Sequence, residues 1–195
     1  MPKTEVAKPS ARERLLAAAD ELFYREGVQT VGIERIINHA GVAKASLYHS
    51  FGSKEELVLA YLERRHTNLA ARIERALTRF RSPRGRLLGV FDALGELFTD
   101  PEFNGCAFEM ASAEATPGGS VANVAEAYRT WVRTLFTTLA TEAGVADPDA
   151  LARELHLLYD GAGLSARMDH DPTAATTAKA AATVLFDAAP KAKPA

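Results

Sequence analysis

What this chain has little of narrows the field before any motif is sought. Its 195 residues include one cysteine, Cys106, so no internal disulfide can form and a reducing, cytoplasmic setting is the default. Neither charge sign dominates: 23 Lys and Arg against 25 Asp and Glu leave a net −2, which by itself names no polyanionic partner. Divided after His66, the chain has 10 basic against 9 acidic residues before that point and 13 against 16 after it. That asymmetry is weak, so any nucleic-acid argument has to rest on the placement of particular side chains. No run reaches the ~18 apolar residues a spanning helix needs, and residues 1–9 are short and polar without the apolar core of a leader, so no membrane partner is expected. G-x-S-x-G, H-E-x-x-H, P-loop and dinucleotide fingerprints are missing, and Gly118-Gly119-Ser120 lacks a strand-to-helix context. The chain is therefore not expected to be an enzyme, and an all-helical enzyme or carrier stands as the competing class.

Convincing alternation of period two is also missing, so strands are not expected, while apolar residues recur at three- and four-residue steps almost throughout. With 47% apolar residues the chain can bury a real core. Ser10 and Glu13 form a capping box ahead of the stripe Leu15, Ala18, Ala19, Leu22 and Phe23, which stops at Gly27. Ile33, Ile36, Ile37 and Ala40 give a short second helix closed by Gly41, and Val42 and Leu47 anchor a third. Ser53 and Glu56 open a long fourth helix through Phe80, with Pro83 as its stop. Leu87 to Phe98 line a fifth helix, and an apolar run resumes at Cys106, Phe108 and Met110. The segment from Val121 to Leu139 is apolar on more than one face, as a central helix is. Leu151 to Ala162 and Thr173 to Ala188 complete an all-α chain of about nine helices.

The second and third helices are too short to be stable alone and are joined through Ala40-Gly41-Val42, the pattern of a helix-turn-helix packed on the first helix. With Val42 and Leu47 turned inward, Lys44, Ala45, Ser46, Tyr48 and His49 are left on a short, polar, cationic outward face. The run Gly41-Val42-Ala43-Lys44-Ala45-Ser46-Leu47-Tyr48-His49-Ser50-Phe51-Gly52-Ser53-Lys54-Glu55-Glu56-Leu57 closely resembles the DNA-binding signature of the TetR/AcrR regulators. The resemblance extends from Ala11 to about Tyr61; Gly105-Cys106-Ala107-Phe108 and Leu158-Tyr159-Asp160-Gly161-Ala162 also look like segments of that family. It implies an N-terminal three-helix DNA-binding domain, a larger helical domain for ligand binding and dimerisation, and a regulator of transcription, with repression as the family expectation.

Chemistry assigns the roles. Lys44 can reach guanine acceptors or a phosphate, and Ser46 and the Ala45 methyl can touch base edges. Thr30, Tyr48 and His49 offer donors to phosphates, Lys54 adds charge to a helix N-terminus that already attracts anions, and Arg35 is a further candidate. A plain solvated helix surface is the bland alternative, and the surrounding signature outweighs it. For the arginines at 72, 75, 79, 81, 84 and 86 the bland reading wins.

Phe91, Phe98, Cys106, Phe108, Met110, Tyr128, Trp131 and Tyr159 are, singly, core residues, and together candidates to line a pocket for an unidentified small-molecule effector. Cys106 reads as a buried small hydrophobe rather than a sensor. Asp169-His170-Asp171 precedes Pro172 in a turn and is poorly placed to converge on a metal, so neither metal nor cofactor is expected. Gly161, Ala162, Ala178, Ala181 and Ala182 allow close approach, and helices eight and nine are expected to form a four-helix bundle with a second copy. The expected layout is a disordered 1–9, a DNA-binding domain at 10–56, an effector and dimerisation domain at 57–188, and a disordered tail at 189–195.

Overall fold

A computed structural model of the chain describes residues 9–192. Among them nine helices follow in order: α1 (Ala11–Glu26), α2 (Ile33–Ala40), α3 (Lys44–Phe51), α4 (Lys54–Leu77), α5 (Pro83–Phe98), α6 (Ala107–Ala113), α7 (Ser120–Glu142), α8 (Pro148–Met168) and α9 (Ala174–Ala188). The all-helical expectation holds, and the one β-type pairing among the described residues is an isolated bridge between Val145 and Lys191.

Helix starts follow local side-chain chemistry. Ser10 Oγ accepts the Glu13 N–H at 3.2 Å while Glu13 Oε2 accepts the Ser10 N–H at 2.7 Å, the full reciprocal box. Ser53 Oγ accepts the Glu56 N–H at 3.1 Å at the head of α4. The expectation at Pro83 needs correcting. Helix α4 ends at Leu77, before Phe80, and Pro83 is the first residue of α5 behind the cap Ser82, whose Oγ accepts the Gly85 N–H at 3.0 Å. Proline lacks the N–H that an opening turn leaves unused, so it begins this helix rather than ending the one before.

The described helices pack as two compact units: 9–65 with Ala107–Val124, and His66–Cys106 with 125–192. The first unit includes the start of α4, running past residue 56 to Arg65, with Leu57, Val58, Tyr61 and Leu62 buried. In that core Leu15, Ile36, Leu47 and Leu57 are fully buried, each stabilising the unit by about 1.5–3 kcal/mol of transfer free energy. The Phe23 and Tyr61 rings meet edge to face at 5.6 Å.

Arg65 fastens α4 to α1, its Nε lying 2.7 Å from Asp20 Oδ1 and its guanidinium 3.7 Å from the Tyr24 ring centroid. The end of α1 is tied to the segment after α6: Glu114 Oε2 accepts the Gln29 N–H at 2.7 Å. At Gly27 φ is +88°, a backbone conformation that favours glycine, and a Cβ there would also displace the Glu114 carboxylate, whose Oε1 lies 2.4 Å from its position.

In the second unit the backbones come closest where α9 meets α5 and α8. Alanine makes this possible: Ala174, Ala175, Ala178 and Ala182 of α9 and Ala162 and Ala166 of α8 are buried, and small side chains let helix axes approach. The two-sided apolar pattern from Val121 to Leu139 predicts a central helix. Instead α7 buries one stripe, Ala125, Tyr128, Val132, Phe136 and Leu139, while Val121, Val124, Trp131 and Leu135 remain half-buried.

Lys179 donates to both Asp92 oxygens at 2.7 and 2.8 Å and Arg84 to both Asp187 oxygens at 2.9 and 2.7 Å, each tying α5 to α9. Arg79 and Arg86 pair with Glu96 and Glu142, so three of the six arginines set aside above serve as structural partners.

The tail differs from expectation over its first residues. Ala146 N–H donates to Pro190 O and Ala192 N–H to Gly144 O, both at 2.8 Å, so 190–192 pair with the turn after α7. Residues 1–8 and 193–195 lie outside the described residues. No described helix is long and apolar enough to cross a membrane.

Candidate nucleic-acid interface

The reversal between α2 and α3 is set at Gly41, a left-handed C-cap with φ 61° and ψ 44°. Val42 N–H reaches back to Ile37 O at 3.3 Å, closing the Schellman pattern that favours glycine there. From α1, Arg14 Nη1 donates to Gly41 O at 3.1 Å and Ala40 O at 3.4 Å, pinning the turn to the helix beneath it. Helix α3 then docks through Leu47, its one buried residue.

That single anchor leaves the rest of α3 outward. Lys44, Ala45, Tyr48 and His49 are exposed and Ser46 is half-buried; Tyr48 presents 47% of its surface, a large share for an aromatic residue. Neither α2, capped by Gly32, nor α3, capped by Ala43, receives a side-chain cap bond. Within these first turns Arg35 N–H donates to Gly32 O at 3.2 Å and Ser46 N–H to Ala43 O at 2.9 Å, and a helix N-terminus is the end that attracts an anion such as a backbone phosphate. Thr30 is exposed just ahead of α2.

The cationic candidates are less free than the sequence implied. Lys44 Nζ donates to Glu34 Oε1 at 2.5 Å, and that hydrogen bond, with the carboxylate charge, holds the ammonium pKa above its usual value. Arg35 meets Glu26 of α1 with both guanidinium arms, Nη2 donating to Oε1 at 2.7 Å. Lys54 is half-buried with Nζ 6.0 Å from the Phe23 ring centroid, and burial pushes its pKa down against the opposing pull of Glu114. The sequence reading missed Glu26, Glu34, Arg14 and Glu114, because pairs separated by 9, 10, 27 and 85 residues leave no periodic trace.

The effector candidates divide between the two units. Phe91, Tyr128, Trp131 and Tyr159 join one aromatic series in the second. Phe91 meets Phe136 at 5.8 Å, Phe136 meets Tyr159 at 6.1 Å, and Tyr128 stacks on Trp131 at 6.0 Å. The Tyr128 and Tyr159 hydroxyls are 3.0 Å apart, and burial, reinforced by nearby groups including Cys106, pushes both phenols well above their ordinary pKa. His66 packs on Trp131 at 4.6 Å and burial lowers its pKa. Phe98 pairs instead with Phe103 at 4.9 Å. Cys106 is half-buried rather than buried, while Phe108 and Met110 belong to α6 and the first unit. Phe136, His66 and His156 are additional members of this region that the sequence did not single out.

Asp171 accepts from Thr173 N–H at 2.8 Å and Thr173 Oγ1 at 2.6 Å, shaping the turn into α9. Among the described residues no group of three or more His, Cys, Asp or Glu is placed to hold a metal.

The same segment that forms this interface carries the likeness to known proteins. Residues 15–61 match the profile of bacterial regulatory proteins of the tetR family. The HTH-type transcriptional activator FasR of Mycolicibacterium smegmatis is 40% identical over 82 residues, 42% of this chain and 37% of that protein. The HTH-type transcriptional repressor NemR of Escherichia coli is 31% identical over 105 residues, 53% of each chain. The matched stretch thus spans between about a third and a half of the length of these curated relatives. Among solved structures, SCO4454, a TetR-family transcriptional regulator from Streptomyces coelicolor, superposes with a TM-score of 0.85 at 33% identity, covering 91% of this chain and 94% of that one. A TetR-type regulator from Streptomyces avermitilis gives 0.80 at 37% identity, covering 93% and 98%. With the helix-turn-helix in place and the likeness running along nearly the whole of both chains, this chain belongs to the tetR family of bacterial regulatory proteins.

Proposed function

We propose that the chain is a sequence-specific DNA-binding regulator of transcription, and not an enzyme, that acts as a cytoplasmic homodimer on a near-palindromic operator. The observation that carries this reading is α3 itself, an eight-residue helix docked through Leu47 with Lys44, Ala45, Tyr48 and His49 turned outward. A helix of that kind enters the major groove, with its N-terminal residues at base edges and flanking hydroxyls and N–H groups on phosphates. Lys44, Ala45 and Ser46 read bases; Thr30, Arg35, Tyr48, His49 and Lys54 position the unit.

The partner in this proposal is a second copy. On α8, Leu157, Leu164 and Met168 are exposed at helical spacing beside exposed Gly161, and on α9 Val184 is 69% exposed next to exposed Ala181. Ala162, Ala178 and Ala182, grouped with these in the sequence reading, are buried inside the protomer and serve α8–α9 packing instead. Pairing of the exposed faces sets two α3 helices about one DNA turn apart, roughly 34–36 Å.

Regulation in this proposal is repression relieved by a small apolar or amphipathic ligand held by the aromatic series of the second unit. The continuous helix α4, whose residues belong to both units, is the lever. The ligand acts only through its differential affinity for the DNA-bound and free forms. Repressors are among the relatives, as is an activator.

Sedimentation and operator binding of the full chain, with Leu157→Glu beside wild type, test this. A dimeric wild type and a monomeric variant with weakened operator binding support the reading; a wild type that binds its site as a monomer removes it.

A further inference from the structure

We propose that Glu34 is a specificity-determining residue of this DNA-binding surface: it holds the Lys44 ammonium and thereby suppresses binding to DNA of the wrong sequence. The inference rests on the reading of α3 as the recognition helix.

Glu34 lies in the first turn of α2, and Lys44 is the first residue of α3, the end of a recognition helix that reaches base edges. The two meet at 2.5 Å with side chains 67% and 58% exposed, so the pair lies open on the surface. Neighbouring Arg35 is engaged by Glu26, and Lys54 is half-buried over Phe23. Of the described cations around α3, Arg12 of α1 is exposed with its guanidinium 4.9 Å over the Phe51 ring, and the cation at the head of α3 itself is the one Glu34 holds.

An exposed ion pair contributes little to folding, so stability is not what this arrangement serves. Its consequence lies in binding. Affinity for arbitrary DNA comes almost wholly from cations neutralising phosphates, each contributing about 0.9 to the slope of log K against log salt. For Lys44 to take up a phosphate it must leave a carboxylate, exchanging one anion for another, and Glu34 is then uncompensated beside the DNA backbone. At a matched site the exchange is different. Lys44 donates to guanine O6 and N7, and the Glu34 carboxylate accepts from a cytosine N4 amino group. Only the right base pairs supply both partners, so the pair penalises wrong sequences more than right ones.

The test uses the full chain as wild type, Glu34→Gln, Lys44→Ala and the double variant, with circular dichroism to establish that each is folded. Binding is measured across a salt series to the selected operator and to a scrambled duplex of equal length. Glu34→Gln should tighten binding to the scrambled duplex by about 3- to 10-fold and steepen its salt slope by about 1, one more cation meeting a phosphate. Operator affinity should change less or fall, so the ratio between the two duplexes shrinks. On the Lys44→Ala background the scrambled-duplex effect should vanish. Equal shifts on both duplexes, no shift on the scrambled one, or an undiminished effect without Lys44 would overturn the proposal while leaving the helix-turn-helix reading intact. Failure of wild type to prefer any sequence would remove that reading itself.

Discussion

Replacing Leu47 by alanine isolates the contact on which α3 depends. Leu47 is 0% exposed and is the one buried residue of an eight-residue helix, too short to persist without tertiary support. Truncating a fully buried leucine costs about 2–5 kcal/mol, from lost transfer free energy and from the cavity left behind. At about 3 kcal/mol, with a factor of ten for each 1.4, the local opening of α3 becomes on the order of 100-fold more populated. Amide hydrogen exchange reads this directly: peptides spanning 44–51 should exchange on the order of 100-fold faster, while peptides from α8 hold their wild-type rates. Operator affinity should fall with the ordered fraction of α3. Ala45→Ser, on the exposed side of the same helix, should stay within about 0.5 kcal/mol of wild type. Exchange in α3 unchanged to within a factor of about three, or accelerated equally in α8, would refute the claim that this one side chain docks the helix.

Three further outcomes follow from groups elsewhere. Arg65→Ala should lower the unfolding midpoint and cost about 1–3 kcal/mol, since it strips the partly buried Asp20 of its partner and Tyr24 of its cation; denaturant titration measures it. Tyr128→Phe should cost about 1–3 kcal/mol by removing the Tyr159 hydroxyl's partner, and the double Phe variant should cost less than the two singles summed, in a denaturation cycle. His156 is 4% exposed and burial lowers its pKa, helped by Arg129 and Arg133 and opposed by Asp160. A lowered imidazole pKa means that the unfolded chain takes up the proton first, so stability is full above about pH 6.5 and declines as pH falls below it; urea midpoints between about pH 7.5 and 5.5 should show the decline, flattened in His156→Gln.

The helix-turn-helix was legible because its determinants are local. Ser10 with Glu13 starts α1, Gly41 turns the chain, and the spacing of Ile36, Ile37 and Leu47 fixes which faces are inward. Pro83 was misread because proline is equally at home just beyond one helix and at the first position of the next. The place of α7 was misread for a related reason: apolar composition on two sides does not distinguish burial from the half-burial seen at Val121, Trp131 and Leu135. The pairing of Lys44 with Glu34 and Arg35 with Glu26 was beyond reach, since it depends on how three helices are stacked. These pairs turn a face that read as cationic into one nearly neutral, and composition alone carries no sign of it.

The central claim, that α3 reads DNA sequence, is tested most directly by selecting genomic fragments bound by the purified full chain and comparing wild type with Lys44→Ala on the enriched sequence at fixed salt. An enriched inverted repeat with half-sites about one helical turn apart, bound more weakly by the variant, is the expected result. Absence of any enriched sequence, or an enriched site to which Lys44→Ala binds as tightly as wild type, would contradict it.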